Sequence, residues 1–308
     1  MFLAAISQFT TPRWEPGIEI ARCAAHGFDA LAMWRPKFSD VDPAATGRML
    51  AKAGVRASSV QWAGGFTGAD GRSFAESVGD ALDAVEAARV LGASVVVLHS
   101  GCRGGHTRSH ARRLLVHAIA AVEPAAARAG VTLALKPLHP AAAADCSFLT
   151  SLAEALEVVE ECRAAAVRPA SIGLAVDLWH FADDPAFEAL LPAVAAATAV
   201  VQVADRTGPP TPEQERLPPG HGSLPLQSAV SRLVSLGFSG WFEFDPVGEA
   251  VEVRGYDAVL ADVRQIIDDW SAAPGDGDSQ PVAAKPQRAR TGAGLRRSHA
   301  SSQAVSRG

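Results

Sequence analysis

Short apolar runs alternate with longer amphipathic runs along the first 272 residues of the chain. Eight of the short runs are rich in Val, Leu, Ile and Phe and almost continuously apolar, as parallel strands covered on both faces are. The predicted strands are Phe2–Ser7, Asp29–Trp34, Val55–Gln61, Ser94–His99, Val131–Lys136, Ile172–Asp177, Ala199–Asp205 and Trp241–Asp245.

A helical pattern follows each predicted strand. The predicted helices are Pro16–His26, Pro43–Ala53, Phe74–Leu91, Ser109–Ala129, Ser151–Arg163, Pro185–Ala195, Leu226–Leu236 and Tyr256–Trp270. Five of these helices are followed by a glycine (27, 54, 92, 130 and 237), the residue that most readily ends a helix. Eight strand–helix units predict a single (β/α)8 TIM barrel. A doubly wound open sheet is disfavoured because no glycine-rich dinucleotide turn follows the first strand.

The end of the chain differs in composition. Residues 273–308 are rich in Gly, Ser, Ala, Pro and Arg and have no apolar period, which predicts a disordered tail. Six basic and two acidic residues give this tail a charge of +4, which leaves −9 on residues 1–272 out of a total of −5. We therefore predict a barrel over 1–272 and a basic tail over 273–308, with no nucleic acid as partner.

The cysteines and the apolar runs predict a location. Four cysteines form no CxxC pair, no apolar run has the length of a membrane span, and the first residues look like a strand rather than a signal peptide. These features predict a cytoplasmic protein with free thiols and no membrane partner. A homo-oligomer is compatible with the sequence.

Polar residues close most of the predicted strands, at the end where barrels of this kind carry their active sites. They are Gln8, Trp34, Arg35, Gln61, Trp62, His99, Lys136, His139, Asp177, His180, Gln202, Asp205, Glu243 and Asp245. Asp177 and His180 combine a cation ligand with an imidazole for a substrate hydroxyl, although such an Asp also caps helices. Arg216, in a long loop, either holds ligand oxygens or is an ordinary surface arginine. Glu243 lies on the same side of its strand as Asp245, either in the site or deeper in the barrel.

Three other groups have two interpretations each. A cluster after strand four either binds zinc or contributes only His99 to a pocket; its members are His99, Cys102, His106 and His110. Nearby arginines either attract an anionic substrate or form a solvated helix face; they are Arg103, Arg108, Arg112 and Arg113. Trp34, Trp62 and Trp179 either stack on sugars or pack at the barrel rim.

Seven segments, in order, resemble the sugar phosphate isomerase/epimerase family with the xylose isomerase-like TIM barrel. They are Gly27–Trp34, Leu98–Gly101, Leu133–Pro140, Ala175–His180, Val201–Asp205, Arg216–Gly222 and Gly237–Asp245. The superfamily includes hydroxypyruvate isomerase, tagatose and psicose 3-epimerases, inosose dehydratase and endonuclease IV. The resemblance implies a small carbohydrate-like substrate and proton transfer next to its carbonyl.

The resemblance also implies a metal site. In the family's isomerases and epimerases, a divalent ion is held by a Glu, an Asp, a His and a Glu at the ends of strands five to eight. The matching positions here are Lys136, Asp177, Gln202 and Asp245. An ammonium cannot ligate a cation, and an amide oxygen is a weaker ligand than imidazole for Zn or Mn. Only Asp177 and Asp245 remain as anionic ligands, so we expect no cofactor or a weakly held divalent cation (Mn, Mg or Zn).

We hypothesise that Lys136 replaces the metal ion, with its nitrogen between Asp177 and Asp245. These three residues are the candidate catalytic groups: Lys136 would stabilise an enolate, and Asp245 or His180 would be the base. The predicted substrate-binding residues are Trp34, His99, His139, His180, Gln202 and Arg216.

The predicted function is that of an isomerase or epimerase of carbohydrate metabolism, acting on a small sugar, keto acid or cyclitol. One alternative is an altered family member that binds a carbohydrate-like ligand or a partner without turnover. Another is a lyase or dehydratase with the same enolate chemistry. Endonuclease activity is disfavoured because that branch uses a multi-metal site rich in His and Glu, which this sequence does not supply.

Overall fold

Eight parallel strands close into a barrel in the computed structural model, which describes residues 2–38, 41–143 and 146–272. The strands are β1 (Leu3–Ser7), β2 (Ala30–Trp34), β3 (Arg56–Gly64), β4 (Val95–His99), β5 (Thr132–Leu135), β6 (Ile172–Asp177), β7 (Thr198–Val203) and β8 (Trp241–Phe244). Each strand pairs with the next along the chain, and β8 pairs with β1. The predicted (β/α)8 barrel is confirmed, whereas the predicted tail over 273–308 lies outside the described residues.

Helices cover the outside of the barrel. They are α1 (Pro16–Ala25), α2 (Pro43–Ala53), α3 (Phe74–Leu91), α4 (Arg108–Ala129), α5 (Pro140–Ala143), α6 (Leu152–Ala165), α7 (Leu178–Phe181), α8 (Pro185–Ala197), α9 (Leu226–Ser235), α10 (Glu249–Arg254) and α11 (Tyr256–Ala272). The eight long helices match the predicted ones to within two residues at each end. The short helices α5, α7 and α10 were not predicted, because four to six residues are too few to show a helical period.

Local sequence explains where the long helices begin and end. Ser73 and Glu76 form a reciprocal capping box at the start of α3, and α1, α2 and α8 begin with a proline. All five glycines predicted to end helices have left-handed φ values, between 71° and 91°. The helix ends are therefore encoded by residues within one turn of them.

The barrel interior is packed with apolar side chains on the inward-facing positions of the strands, all of them small except Trp241. These residues are Ala5, Ala30, Val95, Val97, Ala134, Ala175, Val200 and Trp241. The guanidinium of Arg56 lies 4.6 Å from the ring centre of Trp241, next to the first residues of the strands. Towards the C-terminal ends of the strands, the inward-facing positions carry polar groups. The alternation of side chains along each strand therefore predicts which end of the barrel is polar.

None of the described helices is long and apolar enough to cross a membrane.

Candidate active site

A buried ion cluster fills the barrel mouth at the ends of β5 to β8. The carboxylate of Asp177 is fully buried, and its Oδ2 forms an ion pair with the Lys136 ammonium at 2.7 Å. The guanidinium of Arg216 reaches both oxygens of the same carboxylate at 3.0 Å. It also contacts Asp245 Oδ1 at 2.6 Å. Two cations and two carboxylates therefore form one charge-compensated group, here called the charged cluster.

The bridging cation of this cluster differs from the hypothesis. Lys136 contacts Asp177, and the ion-pair contact that joins Asp177 to Asp245 belongs to Arg216. The reason is tertiary: backbone hydrogen bonds between Arg216 and Val247, at 3.0 and 2.8 Å, hold the loop of Arg216 beside the end of β8. The surface-arginine interpretation is wrong, because the Arg216 side chain is only 14% exposed.

Burial and charge set the protonation of the cluster. Burial alone would raise the pKa of Asp177, but the positive charges of Arg216 and Lys136 outweigh it and hold that pKa well below its usual range. Burial raises the pKa of Asp245 to about 6. The positive charge of Arg216 opposes this rise only in part, and repulsion from the negative charge of Asp177 adds to it. Asp177 is thus a permanent anion, and Asp245 titrates near neutral pH.

Two histidines border the charged cluster in their neutral form. Burial lowers the pKa of His99 to about 3, with a further contribution from the Lys136 charge. Burial also holds the pKa of His180 well below its usual range. The backbone N–H of His139 donates to His180 Nδ1 at 3.2 Å, so the ring proton of neutral His180 lies on Nε2. His139 therefore acts through its backbone, and its own Nδ1 accepts from the Ala141 N–H.

Asp177 also caps a helix, which was the alternative interpretation of this residue. Its Oδ1 accepts the backbone N–H of Trp179 at 3.0 Å and caps α7. Ion pairing and capping coexist because a carboxylate has four acceptor positions.

Gln202 and Glu243 lie at the same level as Asp177 on neighbouring strands. Gln202 is buried, and its Oε1 has no hydrogen-bond partner among the described residues. Glu243 is buried below Asp245 and accepts Ser58 Oγ at 2.6 Å and Gln61 Nε2 at 2.7 Å. Burial raises its pKa to about 7. Of the two interpretations of Glu243, the structure therefore agrees with the deeper position: its carboxylate lies inside the barrel and is hydrogen-bonded to residues of β3.

The loop between β7 and α9 is held from below by Asp205. Its Oδ1 accepts the backbone N–H groups of Arg206 and Leu224 at 2.9 and 3.0 Å, and its Oδ2 accepts that of Gly220 at 2.9 Å. The buried Arg206 donates to the carbonyl of Trp179 at 2.7 Å. The loop that carries Arg216 is therefore fixed at both ends.

Two cavities open on the other side of the barrel mouth. One, here called the rim cavity, has a volume of about 320 Å³ and is lined by residues that include Trp62, Gly65, Thr67, Arg72, His99 and Cys102. The second, of about 660 Å³, lies between Trp34 and Trp62. Trp62 is 40% exposed, whereas Trp179 is 3% exposed and packs between Arg206 and Arg216. Rim packing therefore describes Trp179, and the other two tryptophans line cavities.

The cluster after β4 does not assemble as a zinc site. Within the described ranges, no three His, Cys, Asp or Glu side chains are grouped to hold a metal ion. His106 precedes α4, and its Nε2 lies 3.1 Å from the Thr67 carbonyl. Arg108 and Arg112 form ion pairs with Glu154, Glu157 and Glu161 of α6, which agrees with a solvated helix face.

Sequence reasoning missed the arginine–carboxylate network of the rim cavity. Arg72 contacts Asp70 and Asp80, and Asp80 also contacts Arg35. These residues belong to three separate segments and share no spacing. The only sequence signal is the glycine pair 64–65 at the end of β3, which indicates a close backbone approach.

Comparison with known proteins decides the family. The profile of the xylose isomerase-like TIM barrel family matches residues 20–263. The chain belongs to this family. A putative hydroxypyruvate isomerase of Streptomyces coelicolor is 28% identical over 247 residues, which cover 73% of this chain and 84% of that protein.

Two solved structures share the fold over most of their length. A protein of Sinorhizobium meliloti 1021 is 27% identical, with a TM-score of 0.76 over 87% of this chain and 98% of that one. The IolI protein with a bound zinc atom is 18% identical, with a TM-score of 0.73 over the same shares of the two chains. The second similarity shows the fold alone.

The carboxylate oxygens at the family's metal position are already paired with protein cations. A divalent ion would need the oxygens of Asp177 and Asp245, which already accept three contacts from Arg216 and one from Lys136. The ammonium of Lys136 would also repel it at the position where the family has a carboxylate. The donor set therefore does not fit a tightly held cation.

Proposed function

We propose that the protein is an isomerase or epimerase that moves a proton next to the carbonyl of a small hydroxylated carbonyl compound. The charged cluster would take the place of a tightly held divalent ion, and any cation would be weakly held. The proposal rests on one observation, the pairing of Asp177 with both Lys136 and Arg216. Family membership and the hydroxypyruvate isomerase relative support the reaction class.

Lys136 has the geometry of an electrophile. Its ammonium has one contact among the described residues, the ion pair with Asp177 Oδ2, which leaves at least two N–H groups without a partner there, and the side chain is 10% exposed. The free N–H groups can donate to a substrate carbonyl oxygen and stabilise the negative charge that develops on it. Asp177 holds the ammonium in place and keeps the site neutral overall.

Asp245 is the proposed base. Its Oδ1 is held by Arg216, and its Oδ2 has no partner among the residues that the structure describes. The carboxylate takes the proton from the carbon next to the carbonyl, and the electron pair of that C–H bond forms an enolate. Return of the proton to the neighbouring carbon, with transfer of the hydroxyl proton from one oxygen to the other, completes an isomerisation. Protonation of the opposite face of the same carbon by a second proton donor, while Asp245 keeps the first proton, completes an epimerisation.

His180, Gln202 and Arg216 are proposed to bind substrate hydroxyls around this centre, with His99, His139 and Trp34 on the periphery. Neutral His180 can donate from Nε2, and the Gln202 amide oxygen, which has no hydrogen-bond partner among the described residues, can accept. Neutral groups suit hydroxyls because they bind without adding charge to the charged cluster. We also propose a cytoplasmic location, since the four cysteines are free thiols.

Solvent exchange tests the proposal. The protein, freed of metal with EDTA, is incubated in deuterated water with ketoses, keto acids and cyclitol ketones, and exchange is followed by NMR. We expect exchange without added metal and a loss of about 100-fold or more in Lys136→Met. Arg112→Gln, a surface arginine of α4, is the matched control. Exchange only after a divalent ion is added would overturn the metal-independent mechanism.

A pair of reverting substitutions sharpens the test. Lys136→Glu with Gln202→His restores the family's ligand types beside Asp177 and Asp245. We expect this double variant to bind Mn²⁺ tightly in calorimetry and the natural protein to bind it weakly. Stoichiometric tight metal in the natural protein, lost in Asp177→Asn, would contradict the proposal. Ligand binding with no exchange on any compound would establish the alternative of binding without turnover.

A further inference from the structure

The rim cavity lies beside the proposed reaction centre and, apart from His99, its lining has no part in the mechanism above. His99 closes β4 and lines the cavity. The backbone N–H of Lys136 donates to the carbonyl of Leu98, the residue before His99, at 2.9 Å. The ring of Trp62 lies 5.2 Å from that of His99, centre to centre, at an angle of 37°. A substrate held at Lys136 therefore has the cavity beyond His99 within reach of its far end.

The floor of the cavity is preformed by backbone packing. A Cβ atom at Gly64 would lie 1.9 Å from the His99 carbonyl oxygen, and one at Gly101 would lie 2.8 Å from Gly65 Cα. The φ angles of Gly64 and Gly101 are 133° and 77°, which side chains rarely adopt. The hydroxyl of Thr67 also donates to the Cys102 carbonyl at 2.6 Å. The loops after β3 and β4 thus interlock around the opening.

The polar wall of the cavity offers hydrogen-bond acceptors rather than an anion site. Four contacts occupy the Arg72 guanidinium: two to Asp70 at 2.6 and 2.9 Å, one to the Gly64 carbonyl at 2.7 Å and one to Asp80 at 3.2 Å. The contact with Arg72 lowers the pKa of Asp70. Asp80 is partly buried, but Arg35 and Arg72 still lower its pKa. Both carboxylates are therefore ionised, and the charges of Arg35 and Arg72 cancel theirs. The wall has no net positive charge left to hold a phosphate or carboxylate group, whereas the carboxylate oxygens keep lone pairs that can accept hydroxyls.

The opposite wall is aromatic. Trp62 is exposed over 40% of its surface in a chain whose other large aromatic side chains are mostly buried. An exposed indole beside hydrogen-bonding carboxylates can pack on the C–H face of a sugar while the carboxylates accept its hydroxyls. The cavity volume of about 320 Å³ is at the small end of the range for small-molecule sites, roughly 300–1,000 Å³.

We infer that the rim cavity is a specificity subsite for the far end of the substrate, and that this end is hydroxylated and uncharged. The inference rests on the proposed function for the position of the reacting carbonyl. It selects a substrate of about six carbons over a three-carbon keto acid, which would not extend past His99. It also selects a free polyol end over a phosphate ester, since Asp70 and Asp80 already occupy the positive charge of Arg72 and leave none to hold a phosphate.

Two thiols on the cavity wall provide a readout that does not depend on turnover. Cys102 and Cys146 are free and line the cavity. Cys23 and Cys162 are buried, and burial raises the pKa of Cys162 to about 12, so they serve as unreactive internal references. Alkylation of Cys102 by iodoacetamide is followed by peptide mass spectrometry in the intact wild-type protein.

D-fructose, fructose 6-phosphate and hydroxypyruvate are the probes. We expect D-fructose, at ten times its dissociation constant, to slow alkylation of Cys102 about tenfold by mass action. Fructose 6-phosphate and hydroxypyruvate should leave the rate unchanged, and Trp62→Ala should abolish the protection. Equal protection by the phosphate ester, or none by any probe, would overturn the inference.

Kinetics separate this inference from the proposed function. With a six-carbon substrate, Trp62→Ala should raise KM about tenfold with kcat maintained, the loss expected for one aromatic contact. Its kinetics with a three-carbon substrate should not change. Equal effects on both substrates would refute the subsite while leaving the reaction intact. Protection of Cys102 without exchange on any compound would refute the reaction and support the subsite.

Discussion

The two sides of the barrel mouth use the same residue types in opposite ways. At the ends of β5 to β8, Lys136, Asp177, Arg216 and Asp245 are buried and compensate one another. At the ends of β3 and β4, Arg72 and Asp70 are paired but 37% and 41% exposed, next to the exposed ring of Trp62. The buried charges shift the pKa values of their neighbours and hold one another in place. The exposed pair is screened by solvent, and its outer side is open to a ligand. In our proposal, the reaction and the recognition of the far end of the substrate therefore belong to different sides.

The largest expected effect comes from Asp245, the proposed base on the buried side. Asp245→Asn should lower kcat/KM by about 100- to 10,000-fold, the range for loss of a general base. The pKa of Asp245 is about 6, so the wild-type rate should rise with pH through about 6 and level off above it, as the carboxylate loses its proton. The pH–rate profile between pH 4.5 and 8.5 measures this. A flat profile would assign the base to another group.

Removing the central carboxylate should destabilise the fold. Asp177→Asn keeps the cap of α7 but leaves Lys136 and Arg216 as partly uncompensated buried cations. We expect the free energy of unfolding to fall by about 3–5 kcal/mol, measured by urea denaturation at pH 7. Glu154→Gln, which breaks an ion pair with Arg108 near the surface, is the matched control and should change it by less than about 1 kcal/mol. Equal losses would mean that the charged cluster is as well solvated as the surface pair.

Glu243, inside the barrel, should make the free energy of unfolding depend on pH. The pKa of Glu243 is raised to about 7 from 4.5, so between these pH values the folded state binds more protons than the unfolded chain. This contribution to stability is present below about pH 4.5 and is lost as the pH rises through 7. It amounts to on the order of 3 kcal/mol. The Glu243→Gln variant lacks it, so its stability should change less than that of the wild type between pH 5 and pH 8. Parallel curves would show that Glu243 keeps an ordinary pKa.

The smallest effect is expected on the outer helix face. Arg108→Gln and Arg112→Gln break exposed pairs with α6. We expect each to change the free energy of unfolding by less than about 1 kcal/mol and to leave KM unchanged. A higher KM for anionic substrates would restore the interpretation that these arginines attract the substrate, and would extend the recognition side beyond the rim cavity.

The barrel could be predicted from the sequence because its signals are local. Strands show as short apolar runs, the long helices as amphipathic periods, and helix ends as glycines placed within one turn. The strand ends then identify which polar residues share the barrel mouth. Alternation along β8 placed Glu243 and Asp245 on one side without any knowledge of their partners.

Partners across the barrel could not be predicted, since they depend on loop paths and packing. Arg216 is distant in sequence from Asp177, and only the pairing of its loop with Val247 makes it, rather than Lys136, the bridging cation. The same holds for the Arg72 network, which joins three segments. Burial is also a tertiary property, and it is burial that moves the pKa of Asp245 and Glu243 towards neutrality. The sequence by itself determined the barrel and the residues at its mouth, and the tertiary structure decided which charges meet and which remain open to a ligand.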